Sequence, residues 1–368
     1  MKNLYAASMP CCAKVQDGMH EKVLGHEKHF WYEKHFWYEK HLWYKKHLWY
    51  KKHLRRHAVL YKRSRRQERR GMTYFQFIHE VEVKVREETE GNISVYIHSA
   101  VKNNGTRRHG LTLAEKGINI FPTIYLEEYY QQFKNGSSLE TIAGDILRLY
   151  GEVRFKHCFE GGFLRNFQKI RGKIVYRLVN REANRELLEE TPYEEYLDLA
   201  VVYYVLLEVN PYGMASLMIR HEHLKMWDVT QEEIACEARR NTRRLLPYEF
   251  GTMGALLEEL SVMKEDDGDG KDDGKDIMYV LSNRIRSYGA AAILYESQLD
   301  GIGAYLEENY YVLPCSVHEV IIVPESAAPG REALDFLVRE VNATQVDEEE
   351  RLSNHAYYYD RQTRRLTA

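Results

Sequence analysis

The stretch Leu313–Pro324, which reads LPCSVHEVIIVP, contains the densest group of reactive side chains in the chain: Cys315, Ser316, His318 and Glu319. A thiol or hydroxyl beside a base is the arrangement that activates a nucleophile. However, catalytic triads are usually assembled from separate segments, and neighbouring residues of a strand point to opposite faces. Two interpretations follow: a hydrolase-like site with Ser316 or Cys315 as nucleophile and His318 as base, or a tight connection whose polar side chains satisfy its backbone. We favour the second.

A second polar loop, Ser282-Asn283-Arg284 followed by Gly289, lies at the end of a predicted strand. Ligands often bind beyond the carboxyl ends of strands in α/β sheets. Asn283 and Arg284 are therefore candidate ligand-binding residues. The alternative is a turn that ends the strand, in which Asn and Gly serve the geometry of the backbone.

The remaining polar groups predict neither a metal site nor a cofactor. His221 and His223 are two positions apart, so on a helix their imidazoles would diverge by about 200°, and a surface or capping role is favoured. Asp198 and Glu208 flank an apolar run, but no feature of the sequence brings these carboxylates together. The acidic stretch 264–276 lacks the ligand and Gly positions of an EF-hand loop, and no glycine-rich phosphate loop is present.

Residues 1–71 form an N-terminal extension built on a hexapeptide repeat that begins EKHFWY at Glu27. A period of six spreads His, Trp and Lys around a helix and mixes aromatic with charged groups on both faces of a strand. Neither geometry produces a face that can be buried, so we exclude this low-complexity extension from the fold. The alternatives are a histidine-rich metal arm, or an aromatic-basic tether for a membrane or single-stranded nucleic acid.

The charge of the chain is divided sharply between its two parts. Residues 1–71 contain 18 Lys and Arg against 6 Asp and Glu, a net charge of +12, whereas the remainder contains 34 against 49, a net charge of −15. An acidic body makes a nucleic-acid groove unlikely, because such a groove needs clustered cations. Five scattered cysteines fit a reducing compartment, and no apolar run reaches the ~18 residues of a membrane span. We therefore expect a cytoplasmic protein without membrane contact, whose partner is a protein or a small molecule.

The order of predicted elements indicates an α+β fold with mixed, partly antiparallel sheets and flanking helices. Asn104-Gly105 predicts a type I′ hairpin turn. LDLAVVYYVLL at 197–207 predicts a strand buried on both faces, with a buried helix as the alternative. A helical stretch is predicted over 127–151, in which Ser138 can act as a cap, and Thr230 with Glu233 forms a capping box for another helix. The charged, Gly-rich segment 264–276 predicts a linker, dividing the body into subdomains 72–263 and 277–368.

Several stretches together resemble an uncharacterised bacterial family, domain-of-unknown-function family 5688, found in anaerobic Gram-positive bacteria. They include KNNGTRRHGLTL (102–113), NIFPTIYLEEYY (119–130), LDLAVVYYVLLE (197–208), HEHLKMWDVTQEEIACEARRNTRRLLP (221–247), YVLSNRIRSYGAAAILY (279–295) and LPCSVHEVIIVP (313–324). Members of that family typically begin near the position of Met72, and two serines usually follow the Leu-Pro pair where this chain has Cys315-Ser316. The resemblance implies no activity and no catalytic residues.

Two functions remain as hypotheses. The first is a cytosolic, non-catalytic binding or regulatory protein, since the sequence offers no cofactor fingerprint and no strong nucleophile motif. The alternative is the hydrolase-like enzyme of the Leu313–Pro324 loop. The geometry of His318 distinguishes them, because a catalytic base must lie within hydrogen-bond reach of its nucleophile in a pocket.

Overall fold

The computed structural model describes residues 71–89, 93–155, 162–210, 213–255 and 278–368. The hexapeptide repeats and the segment 264–276 lie outside these ranges. Helices and three antiparallel sheets make up the described chain, so the α+β class predicted from the sequence is confirmed. The sheets are antiparallel rather than mixed. No helix in the described ranges has both the length and the apolar character needed to cross a membrane.

The chain separates into two compact units. The first unit comprises the described residues up to Ala100, Arg107–Phe163 and Glu208–Ala215, and the second comprises the rest. Strand β8 (Tyr248–Thr252) ends before the predicted linker and strand β9 (Tyr279–Asn283) begins after it. These two strands pair residue for residue in one antiparallel sheet. Both sides of the segment therefore belong to the second unit.

The first unit packs three helices against a small sheet. Helix α1 spans Tyr74–Glu88, the sheet consists of β1 (Ile93–Val101), β2 (Arg107–Glu115) and β3 (Thr123–Tyr125), and helices α2 (Glu127–Lys134) and α3 (Leu139–Val153) follow. Thr73 and Gln76 form a capping box at the start of α1. The helices and sheet bury a common apolar core that includes Phe77, Val81, Leu111, Leu113, Ile142 and Ile146.

The predicted helix over 127–151 is two helices. Gly136 has φ of 115°, a conformation that an L side chain rarely adopts, and it separates α2 from α3. Ser138 then begins α3 by accepting a hydrogen bond from the Thr141 N–H. The NGSS sequence therefore ends one helix and caps the next.

The predicted turn between β1 and β2 is confirmed as type I′. Asn104 and Gly105 have φ of 58° and 69°, and the Thr106 N–H donates to the Asn103 carbonyl. The turn, which clusters with the second unit, is held by side chains: Asn104 Nδ2 donates to the carbonyls of Glu348 and Arg351 at 2.7 and 2.8 Å. One Asn thus sets the φ and anchors the turn.

A four-stranded sheet is built around one long central strand. Strand β6 (Leu199–Asn210) pairs with β4 (Ile174–Asn180) on one side and with β5 (Tyr193–Tyr196) and β7 (Gly213–Met218) on the other. This placement confirms the buried strand predicted from its continuous apolar run. Helices α4 (Phe167–Ile170), α5 (Arg185–Glu190), α6 (His221–Trp227) and α7 (Gln231–Leu245) accompany the sheet. The Thr230 capping box of α7 is also confirmed.

The second unit contains a six-stranded sheet in the order β13-β12-β10-β11-β9-β8. Its other strands are β10 (Tyr310–Leu313), β11 (Val320–Pro324), β12 (Tyr357–Asp360) and β13 (Arg365–Thr367). Helix α8 (Gln298–Leu306) lies on the face of Tyr310, whose hydroxyl donates to the Leu299 carbonyl. Helix α9 (Arg331–Thr344) packs Leu334 and Val338 on the opposite face.

Candidate functional site

The loop between β10 and β11 is buried and bracketed by another segment. Cys315, Ser316 and His318 are 7%, 6% and 5% exposed. The Val317 N–H donates to the Glu350 carbonyl at 2.8 Å. Farther along, the N–H groups of Leu352 and Ser353 donate to the carbonyls of Cys315 and Pro314. The backbone of this loop is therefore satisfied from residues 350–353.

Both ring nitrogens of His318 are engaged. Its Nδ1 accepts a hydrogen bond from the Tyr288 backbone N–H at 3.2 Å, and its Nε2 lies 3.2 Å from the Glu350 carboxylate. An accepting Nδ1 carries no proton, so Nε2 carries it and donates to Glu350. The hydrogen bond with Ser316 runs through the main chain, since Ser316 Oγ accepts from the His318 N–H at 3.0 Å. The imidazole is not placed to take a proton from Ser316.

The two other reactive groups of the loop are also poorly placed for catalysis. Burial, with the Glu319 carboxylate adding to it, raises the pKa of Cys315 to about 12. The thiol therefore stays protonated at neutral pH, whereas the nucleophilic form of cysteine is the thiolate. Glu319 is half-buried and forms no hydrogen bond or ion pair within the described residues. The structure pairs His318 with Glu350, a partner 32 residues away that no local motif identifies.

The two loops selected from the sequence meet in the structure. Ser282 Oγ donates to the His318 carbonyl at 2.7 Å, and the Ala290 N–H donates to the Val317 carbonyl at 3.2 Å. Asn283 is buried and bonds through its amide to both backbone groups of Ser287. Its side chain is thus fully used in closing the turn after β9, as the turn interpretation expects.

Arg284 and Gly289 have different positions in that turn. The Arg284 side chain is exposed, while its backbone N–H donates to the Pro247 carbonyl. Gly289 lies against the His318 backbone so closely that a Cβ at this position would be 2.6 Å from the His318 oxygen. The meeting of the two loops therefore depends on the absence of a side chain at 289.

A buried arginine adjoins this network, and sequence reasoning missed it. Arg177 on β4 is 5% exposed, and its guanidinium lies between the rings of Tyr204 and Tyr288, at 4.1 and 3.9 Å from their centroids. One terminal nitrogen donates to Ser216 Oγ at 2.7 Å. No carboxylate of the described residues forms an ion pair with it, so the two aromatic faces carry its stabilisation. Arg177 and Tyr288 thus tie the turn after β9 to the four-stranded sheet.

The second unit has an open cleft of about 590 Å³ beside the corner between α6 and α7. Its wall is pinned by Trp227, whose Nε1 donates to the Leu164 carbonyl at 2.7 Å. The Trp227 ring stacks on the His223 ring with 5.3 Å between their centroids, and its centroid lies 6.2 Å from that of Phe167. Asp228 at the end of α6 has φ of 54°, which turns the chain toward α7. The cleft lies within the 300–1,000 Å³ range of small-molecule sites.

Some of the charged side chains that line the cleft are paired within the protein, and others have no ion-pair partner among the described residues. Glu237 is held by Arg171, whose guanidinium donates to it at 2.7 Å, and Glu233 is held in its capping box. In contrast, Arg165 and Asp228 have no ion-pair partner among the described residues. Both side chains are exposed, together with that of Met226, so the cleft offers one cation, one anion and apolar surface.

The other candidates from the sequence have structural roles. The Asp198 carboxylate accepts hydrogen bonds from Ser353 Oγ at 2.7 Å and from the Tyr357 hydroxyl. Nδ1 of His223 accepts from the Arg220 N–H at 2.8 Å at the start of α6, and His221 is exposed. The capping interpretation of this histidine pair therefore agrees with the observed bond.

Comparison with known proteins supports the resemblance noted above. No solved structure and no curated protein sequence gives a match. The model of the Family of unknown function (DUF5688) matches residues 74–361. Because that match extends over most of the chain, from α1 to the end of β12, this protein belongs to DUF5688.

Proposed function

We propose that this protein is a non-catalytic binding protein of the bacterial cytoplasm that holds a small ligand in the cleft beside α6 and α7. The observation that carries the proposal is the pair of unpartnered charges, Arg165 and Asp228, lining one cleft with the apolar Met226. Opposite charges beside apolar surface suit a small zwitterion, such as an amino acid or a dipeptide. Each group, unpaired among the described residues, can bind the ligand without first breaking an internal ion pair.

The hydrolase alternative has less support. His318 already bonds to Tyr288 and Glu350, and a protonated, buried Cys315 is a poor nucleophile. A reducing compartment suits the free thiols of Cys236 and Cys315. The proposed location in the cytoplasm also agrees with the acidic body of the chain.

Trp227 provides a direct test of occupancy. The other four tryptophans lie in the N-terminal extension, so the full-length chain with Trp31→Phe, Trp37→Phe, Trp43→Phe and Trp49→Phe keeps Trp227 alone. Its fluorescence should change saturably when amino acids and dipeptides are titrated, and less with inorganic phosphate. Replacing Arg165 by Gln should weaken the response about tenfold or more, since a charged hydrogen bond contributes about 1.5–3 kcal/mol.

The matched control is Lys225→Gln, which removes a positive charge from exposed α6 outside the cleft. It should leave the titration unchanged. The proposal fails if no zwitterion gives a saturable response, or if Arg165→Gln and Lys225→Gln have equal effects. Isothermal titration calorimetry of the same variants would confirm that a fluorescence change reports binding.

A further inference from the structure

Within the described residues, the terminal strand of the six-stranded sheet, β8, is hydrogen-bonded to a neighbouring strand on one side only. At one end of β8 the Arg284 N–H donates to the Pro247 carbonyl, and at the other end the Met253 N–H donates to the Met278 carbonyl, both at 2.9 Å. The register between β8 and β9 is one to one without a bulge. Hydrogen-bonded and non-bonded pairs alternate in an antiparallel ladder. The backbone polar groups of residues 247, 249, 251 and 253 therefore point toward β9.

The alternation determines which groups point outward. Glu249 and Gly251 turn their backbone toward β9, whereas Tyr248, Phe250 and Thr252 turn their N–H and C=O groups away from the sheet. No backbone hydrogen bond to these three outward residues is present among the described residues. Three donor and acceptor pairs thus lie along an edge that another strand could extend.

This edge has few of the devices that normally prevent strand pairing. Edge strands are usually protected by lysine, proline or a bulge, and Tyr248–Thr252 (YEFGT) has none of these. Its one charge, Glu249, is paired with Arg286 at 2.7 Å. Phe250 stacks on Tyr279 at 5.3 Å, and Tyr305, which is 64% exposed, contacts both rings edge-on. An exposed aromatic surface therefore accompanies the open backbone.

We propose that β8 pairs with β8 of a second copy of this chain, in an antiparallel two-fold arrangement centred on Phe250. In this register Phe250 lies opposite Phe250 of the second copy, and Tyr248 lies opposite Thr252, so every outward backbone group gains a partner. An aromatic pair directly across two strands adds to the stability of the ladder. The interface is isologous, as two-fold symmetry requires.

The same register avoids repulsion between like charges. Glu249 lies opposite Gly251 of the second copy, and the space beside the Gly251 Cα is open, since a Cβ added there would have no atom within 4 Å. A shift that placed Glu249 opposite its own copy would juxtapose two carboxylates and leave Thr252 without a partner. The register centred on Phe250 is therefore favoured, because it pairs the outward backbone groups and keeps the two Glu249 carboxylates apart.

The test uses two substitutions at one tolerant position in the full-length chain. Gly251→Glu places a carboxylate opposite Glu249 on both sides of the two-fold axis, whereas Gly251→Lys places a cation there. Sedimentation over a range of concentrations should show the unaltered chain as a dimer of twice 43.6 kDa. We expect Gly251→Glu to raise the dimer dissociation constant about tenfold or more, while Gly251→Lys preserves or strengthens the dimer.

Amide hydrogen exchange distinguishes a second copy from other occupants of the edge. Protection of the Tyr248, Phe250 and Thr252 amides should increase with protein concentration and follow the dimer fraction. Protection that is independent of concentration would place another segment of the same chain on β8 and overturn the proposal. A chain that stays monomeric, or a dimer that responds equally to Gly251→Glu and Gly251→Lys, would also overturn it.

Discussion

Replacing Gly289 by alanine should disrupt the meeting of the two polar loops. A Cβ at this position would lie 2.2 Å from Ser282 Oγ, 2.5 Å from the Asn283 nitrogen and 2.6 Å from the His318 oxygen. Contacts below 3.0 Å require atoms to move, and two of these three atoms belong to the backbone. The Ser282 side chain can rotate away only by giving up its 2.7 Å hydrogen bond to the His318 carbonyl.

The expected cost combines two terms. Overpacking a buried site costs about 1–3 kcal/mol, and the lost hydrogen bond costs about 0.5–1.5 kcal/mol. We therefore expect Gly289→Ala to lower the free energy of unfolding by about 1.5–4.5 kcal/mol. Urea denaturation followed by Trp227 fluorescence measures this change in the second unit, in the full-length chain that lacks the other four tryptophans.

The matched control is Gly301→Ala in helix α8 of the same unit. Gly301 is exposed, and a Cβ there would meet no atom within 4 Å. Because Gly is about 0.5–1 kcal/mol worse than Ala in a helix, this substitution should stabilise the protein. The same chemical change is thus expected to have opposite signs at two positions. Equal midpoints for Gly289→Ala and the unaltered chain would refute the close approach that we describe.

Three further predictions concern the turn, the thiols and the tyrosines. Asn104→Ala and Asn104→Gly both remove the side-chain anchors of the β1–β2 turn. The alanine variant should be about 1 kcal/mol less stable than the glycine variant in urea denaturation, because φ at this position must remain near 58°. Equal stabilities of the two variants would contradict this reasoning. Alkylation mapped by mass spectrometry should modify exposed Cys236 in the native protein and leave buried Cys315 unmodified until the protein unfolds. Comparable alkylation rates of the two thiols in the native protein would contradict the burial of Cys315. Burial raises the pKa of Tyr196 and Tyr204 to about 12, so the stability they contribute should be complete below pH 10 and should decline as the pH rises toward 12. Ultraviolet absorbance of phenolate, measured with circular dichroism, checks this, and full ionisation near pH 10 in folded protein would disprove it.

Features that depend on local geometry were predictable from the sequence. Asn104-Gly105 forms a type I′ turn because these two residues tolerate positive φ more readily than others. The Thr230 capping box follows from two residues three positions apart, and the central strand follows from a continuous apolar run at 199–207. In the stretch 127–151 the cap at Ser138 was predictable, whereas the end of the preceding helix before Gly136 was not, because apolar periodicity on both sides outweighed one glycine.

Partners that are distant along the chain were not predictable in this way. His318 has a carboxylate neighbour at Glu319, yet the folded chain pairs it with Glu350 and with the backbone of Tyr288. His318 and Glu319 lie in the loop between β10 and β11, so their closeness in sequence does not bring their side chains together. The observed pairing depends on how 348–350 and the turn after β9 pack against the loop, and no spacing in the sequence encodes that packing.

A residue of a reactive type can therefore act on another molecule only if its polar atoms are not already bonded within the protein. In the Leu313–Pro324 loop Cys315, Ser316 and His318 are buried, and a buried polar group is costly unless it is bonded. His318 and Ser316 accordingly direct their bonds inward, to the protein. Arg165 and Asp228 have the opposite character, because both side chains are exposed and neither forms an ion pair with another described residue. The same reasoning applies to the outward backbone of β8. Among the described residues, the cleft and the sheet edge are therefore where we propose contact with another molecule, whereas Ser316 and His318, which look most catalytic in the sequence, bond within the second unit.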